Sequence, residues 1–183
     1  MKSTLSFLWE IAKIAVIALV LVVGMRLFVF QPFLVRGASM EPNFHNWDYL
    51  IVDELSYRFR EPQRGEVIVF KFPNNPADRY IKRIIALPGE TVVVEAGKVG
   101  VYRGQEEVIL DEREYLSLLD TPGSVQTTLG PNEYFVMGDN RPESSDSRSW
   151  GTLSEDLIIG RVLLRVFPIS AFAKVEAPEY ESL

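Results

Sequence analysis

Gly65-Glu66-Val67-Ile68-Val69-Phe70-Lys71-Phe72, then Pro73-Asn74-Asn75-Pro76, then Arg79-Tyr80-Ile81-Lys82-Arg83-Ile84-Ile85-Ala86: this succession decides the fold. Each outer segment is short and rich in β-branched and aromatic residues, and turn residues bound it, as they bound a buried strand. Pro88-Gly89 ends the second segment. Working outward, Asp48-Tyr49-Leu50-Ile51-Val52-Asp53 reads as an earlier strand. Thr91–Glu95 and Val99–Arg103 read as a later hairpin turning at Ala96-Gly97-Lys98. Ile158, Gly160, Val162, Leu164 and Val166 alternate with a face carrying Arg161 and Arg165, which predicts a half-buried strand. Residues 31–183 hold no useful helical period, internal repeat or low-complexity tract. The expected fold is all-β, with antiparallel sheets and a small inserted β subdomain over residues 91–132. The acidic stretch between Gly104 and Gly130 reads as an insertion or lid, and the polar tail beyond Pro168 as peripheral.

The N-terminus reads differently. Ile14–Met25 carries no charge but is shorter than the about 20 residues that span a bilayer. Lys13 and Arg26 flank it where long basic side chains snorkel to headgroups. With Phe7–Trp9 and Leu27–Phe30 added, the length suffices for one transmembrane helix. The expected organisation is a tail over 1–6, an anchor over 7–30 and a folded domain over 31–183. A cleaved secretory signal fits less well, because Arg26, Phe33 and Arg36 fill the gap between Met25 and the small residues Gly37-Ala38-Ser39. Basic residues flank both ends, so charge does not orient the span. Phe30, Phe33, Phe44 and Trp47 either form an apolar surface resting on lipid or fill the β core.

Composition excludes several chemistries. The chain has 183 residues, no cysteine and a single histidine, His45. A thiol nucleophile, a disulfide framework and a thiolate or His-rich metal site are therefore ruled out or disfavoured, and no metal or cofactor is expected. Residues 1–30 sum to +2, so the overall −6 leaves −8 on residues 31–183. A domain this acidic is a poor binder of nucleic acid.

Ser39 lies in Arg36-Gly37-Ala38-Ser39-Met40-Glu41-Pro42, nine positions after Phe30 and so within about 30 Å of the anchor's end. Gly37 and Ala38 leave the backbone open to a substrate chain. A serine nucleophile needs a base, and two side chains compete for that role. His45 sits in a turn six positions on. Lys82 sits among Tyr80, Ile81, Ile84 and Ile85, apolar surroundings that favour a neutral amine.

Three runs in this order, around Ser39, around Lys82 and over Gly138-Asp139-Asn140-Arg141-Pro142-Glu143-Ser144-Ser145-Asp146-Ser147-Arg148, resemble the conserved boxes of type I signal peptidases. Those are membrane-anchored serine proteases with a Ser/Lys pair, an arrangement known on unrelated folds. The resemblance covers most of residues 30–167. It implies Ser39 as nucleophile, Lys82 as general base and Ser144 as the residue that orients the base. It also implies a supporting pair, Asp146 and Arg148, and a substrate-binding wall including Gly37, Ala38, Met40, Tyr80 and Ile81. Some relatives place a hydroxyl two positions before the nucleophile, where this chain has Gly37, so the Ser39 N–H is the natural oxyanion donor and its companion stays open. The implied partners are secretory preproteins and the lipid bilayer. The implied location is the plasma membrane, single-pass, with the catalytic domain on the extracytoplasmic face. The competing reading is a non-catalytic anchored β module that binds a partner.

Overall fold

The computed structural model describes residues 2–28, 30–108, 110–116, 120–178 and 180. A helix, α1 (Lys2–Phe28), leads directly into strand β1 (Phe30–Leu34). The helix thus begins before Phe7, and Phe30 already belongs to the sheet; its side chain lies outside the described residues. α1 is about 40 Å long, and Phe7, Leu8, Trp9, Ile14, Ile17 and Val20 are exposed along it. Glu10 and Lys13 pair across one turn at 2.6 Å. Among the described residues no helix is long and apolar enough to cross a membrane.

The strands that follow are β2 (Tyr49–Asp53), β3 (Val67–Phe72), β4 (Asn75–Ala86), β5 (Thr91–Glu95) and β6 (Lys98–Arg103). After them come β7 (Glu106–Val108), β8 (Val125–Thr128), β9 (Glu133–Met137), β10 (Leu153–Ser154), β11 (Ile158–Phe167) and β12 (Ala173–Lys174). The main sheet runs β1-β2-β11-β3-β4-β9-β10, with β12 on β11, and each of these neighbouring pairs is antiparallel. A second sheet, β7-β6-β5-β8, is built entirely from residues 91–128. The acidic stretch is therefore part of a sheet: it supplies β7 and β8.

Alternation along the central strands decides which core each residue joins. On β3, Val67 and Val69 face one cluster with Val35, Leu50 and Val52, while Ile68 and Phe70 face another with Ile84, Tyr134 and Val136. Strand β9 is likewise buried on both faces. Its Phe135 and Met137 join Ile85, Val92, Val94 and Val101 in the cluster that bonds the two sheets. A strand covered on both faces has a continuous apolar run, which is why these segments carry so few charges.

Several expectations need correction. β4 begins at Asn75, inside the proline-bounded turn, and Pro76 has no ladder partner there among the described residues, so its missing N–H breaks no strand pairing. The regular alternation expected on β11 is broken by register shifts between Val162 and Leu164 and between Arg165 and Phe167, so of its apolar face only Gly160 and Val162 are buried. Phe44 is 3% exposed in the core and Phe33 packs against it, which leaves Trp47 as the exposed one of the three whose side chains are described. The tail is not peripheral. Val175 donates to Leu163 O at 2.8 Å and packs against the first cluster, and Pro178 is buried.

Candidate active site

Strand β4 is the axis of the site. From Arg83 onward it has β3 on one side and β9 on the other, but from Asn75 to Lys82 it bonds only to β3. Strand β1, at the end of the sheet, also keeps one edge open. A groove of about 840 Å³ lies between these two edges, from Gln31 and Ala77 at one end to Ser39 and Lys82 at the other. Gly37, Ala38, Tyr80 and Ile81 line it, with Phe33, Val35, Leu50 and Val69. Met40 does not: it is 1% exposed in the core beneath, so its expected place in the wall is not observed.

Ser39 sits on a turn closed by the Glu41 N–H donating to Ala38 O at 3.1 Å. Gly37 has φ +93°, a left-handed conformation that a side chain would strain, and its N–H donates to Asn46 Oδ1 at 3.1 Å. The third run holds this turn from the other side. Asn140 donates its backbone N–H to Ser39 O and its side-chain amide to Ala38 O, each at 3.1 Å. Among the described residues the Ser39 N–H has no partner, so it is free for an incoming oxyanion.

Lys82 is 3% exposed, and its Nζ donates to Ser39 Oγ at 2.7 Å and to Ile81 O at 2.9 Å. Burial pushes its pKa down from 10.5 to about 8. Asp146 and Asp139 oppose that fall, and Arg148 assists it. His45 is exposed in a separate turn, where its N–H donates to Asp48.

Asp146 is fully buried and takes both prongs of Arg148, Nε and Nη2, at 2.8 Å each. It also accepts the Gly138 N–H at 3.1 Å and caps the short helix α2 (Ser147–Trp150) through the Arg148 N–H. Ser147 Oγ accepts the N–H of Val136 at 3.0 Å, which ties this loop to β9. Ser144 differs from expectation. Its Oγ is buried without a hydrogen-bond partner among the described residues, and Lys82 turns its donors to Ser39 and Ile81 instead. Gly138 is where these parts converge: a Cβ there would collide with Ser144 Oγ and Ser39 O.

Sequence reasoning missed two buried ion pairs. Arg83 donates Nε and Nη2 to the two oxygens of Asp139 at 2.8 and 2.7 Å. Arg141 donates to Thr121 Oγ1 at 2.6 Å and pairs with Glu112 from the acidic stretch. A signal for the first existed. An arginine inside an apolar strand demands a buried carboxylate, and Asp139 stands in the third run.

The family model described as "Signal peptidase, peptidase S26" matches residues 8–167. Among similar proteins, "Probable signal peptidase I-1" of Synechocystis sp. is 39% identical over 181 residues, covering 92% of this chain and 87% of that one. "Probable signal peptidase I-2" of the same organism is 37% identical over 165 residues, covering 87% and 73%. The crystal structure of a signal peptidase I from Enterococcus faecalis aligns with a TM-score of 0.45 at 30% identity, covering 56% of this chain and 97% of that one.

Proposed function

Since the chain belongs to the peptidase S26 family of signal peptidases, we propose that it is a serine endopeptidase that removes signal peptides from exported preproteins after small residues. The observation that carries this reading is the 2.7 Å contact between Ser39 Oγ and a buried Lys82 Nζ at the end of an open-edged groove. In the neutral form, Lys82 accepts the Ser39 proton as Oγ attacks the scissile carbonyl. It then passes that proton to the leaving amine. The Ser39 N–H stabilises the oxyanion. Lys82 next takes a proton from the water that releases the acyl group. A neutral amine has two donors and one lone pair. With the lone pair on the attacking hydroxyl and one donor on Ile81 O, the other donor suits Ser144 Oγ, which has no competing bond.

An extended substrate lying between the open edges of β1 and β4 turns alternate side chains the same way. The first and third residues before the cut would therefore face Val35, Leu50, Val69 and Ile81. One methylene alters binding in such a pocket by only about 1–3 kcal/mol, so bulky residues are rejected by shape. Efficient cleavage after Leu or Phe would contradict this.

The anchoring reading rests on the apolar segment 7–30, on the exposed apolar side chains of α1 and on the resemblance, which also orients the domain outside the plasma membrane. Trp47, Tyr49, Phe167 and Phe172 are exposed aromatic residues suited to the headgroup region of a lipid surface.

The test incubates detergent-solubilised protein with a preprotein and compares wild type with Ser39→Ala. Abolished cleavage is the expected result; equal cleavage by both refutes the assignment.

A further inference from the structure

Lys82 and Arg83 are neighbours on β4 and point to opposite faces. The groove covers the first face. Two distant parts of the chain cover the second. Arg83, 4% exposed, grips Asp139 with two nitrogens and donates its third to Gly65 O at 2.8 Å. The ring of Tyr115, from the inserted stretch, lies 4.1 Å from the guanidinium carbon. Tyr180, near the end of the chain, donates to the Tyr115 hydroxyl at 3.1 Å, and that hydroxyl donates to Glu112 at 2.8 Å. Pro178 and Tyr180 lie so close to Gly65 that a Cβ there would meet each at 2.9 Å.

We propose that the C-terminal segment, residues 173–178 with Tyr180, is a positioning element of the catalytic site: together with Tyr115 it clamps Arg83 onto Asp139 and so fixes the residue beside the general base.

The chain of contacts is continuous and largely shielded from water. Strand β12 pairs with β11 at Leu164 and Arg165, which brings the tail back across the sheet. A cation packed on an aromatic face attracts it more strongly when water is excluded. Asn43 adds a second tie, donating to Asp139 at 2.8 Å and to Tyr115 O at 2.7 Å. The groups that act on Lys82 are the Ser39 hydroxyl, the carboxylates of Asp146 and Asp139, and the Arg148 cation, and Asp139 is in turn held by Arg83 on the opposite face. Asp139 favours the ammonium form of Lys82, and Arg83 offsets that carboxylate. Loosening the clamp exposes Lys82 to more of the Asp139 charge and admits water. Both changes favour the ammonium, so the rate should need a higher pH.

The inference rests on the Ser39–Lys82 reading, so Ser39→Ala is run in the same assay. Full-length enzyme in detergent is compared with Tyr180→Phe, Tyr115→Phe and a chain ending at Ala177, measuring kcat and KM against pH and the melting temperature. Val125→Ala, in the inserted sheet, serves as a control for lost stability alone. Removing one neutral hydrogen bond should lower kcat about 2- to 10-fold below pH 8. KM should stay near wild type, and the acidic limb should move to higher pH. The shift should be larger in the shortened chain and absent in Val125→Ala. If Ser39→Ala is inactive but the tyrosine variants keep the wild-type pH profile, the clamp is refuted and the protease reading stands. If the shortened chain does not fold, Tyr180→Phe and Tyr115→Phe still decide. Cleavage by Ser39→Ala would refute the underlying reading itself.

Discussion

Asp146→Asn offers a test whose two effects have opposite signs. Asp146 is fully buried and its partner Arg148 is 9% exposed. Breaking such a pair from one side leaves a buried cation uncompensated and costs about 3–5 kcal/mol of stability. Asparagine keeps the shape and can still accept the Gly138 N–H through its carbonyl, so the loop has a way to persist. At Lys82 the same change works the other way. Asp146 is the largest influence holding its pKa up against burial, and Arg148 pushes it down. With the carboxylate neutral and Arg148 still charged, the pKa should fall below about 8, by about one unit on the scale of close charge pairs. At pH 7 an amine with pKa about 8 is about one-tenth neutral, and one with pKa about 7 is about half neutral. The assay is kcat/KM against pH from 5 to 10 on a preprotein, with thermal melts on the same samples. The variant should melt lower, yet reach half-maximal rate at a lower pH than wild type. An acidic limb that stays in place or moves to higher pH would refute the reasoning.

Lys82→Met should stabilise the protein while abolishing cleavage. An ammonium whose pKa falls from 10.5 to about 8 on folding costs stability below pH 8, and the cost fades as pH rises to 10.5. The gain at pH 7 should be about 3 kcal/mol, seen as a higher melting temperature that converges with wild type near pH 10.5. Lys82→Arg should be inactive, because a guanidinium does not give up its proton, whereas His45→Ala should retain most activity; the reverse pattern in a turnover assay would reopen the choice of base. Gly138→Ala should cost at least about 100-fold in kcat, since its methyl group must push Ser144 or the Ser39 carbonyl out of place, and near-normal kcat would show the site to be more forgiving than its packing implies.

The strands centred on residues 49–53, 67–72 and 91–103 were legible because their alternation and turn residues agree with one another. Local pattern could not reveal β9: Tyr134 to Met137 are buried on both faces, so they show no period. Nor could it reveal the shifts in β11, which lie in its pairing with β2 and β3 rather than in the sequence of β11 itself. At the site, the three runs named the residues, but the partners of Arg83 and Arg141 lie 56 and 29 positions away. Met40 illustrates a limit of another kind. Its position beside Ser39 suggested contact with substrate, yet the turn that exposes the serine hydroxyl sends the next side chain into the core.

The order β1-β2-β11-β3-β4 has a consequence for the timing of synthesis. The hairpin leading to Ser39 and the hairpin bearing Lys82 are adjacent in sequence but not in the sheet, where β11 lies between them. A growing chain that has completed both hairpins therefore lacks the strand that joins them through backbone bonds. Because β11 ends at Phe167, the complete sheet cannot hold Ser39 and Lys82 together until the chain has been made at least that far.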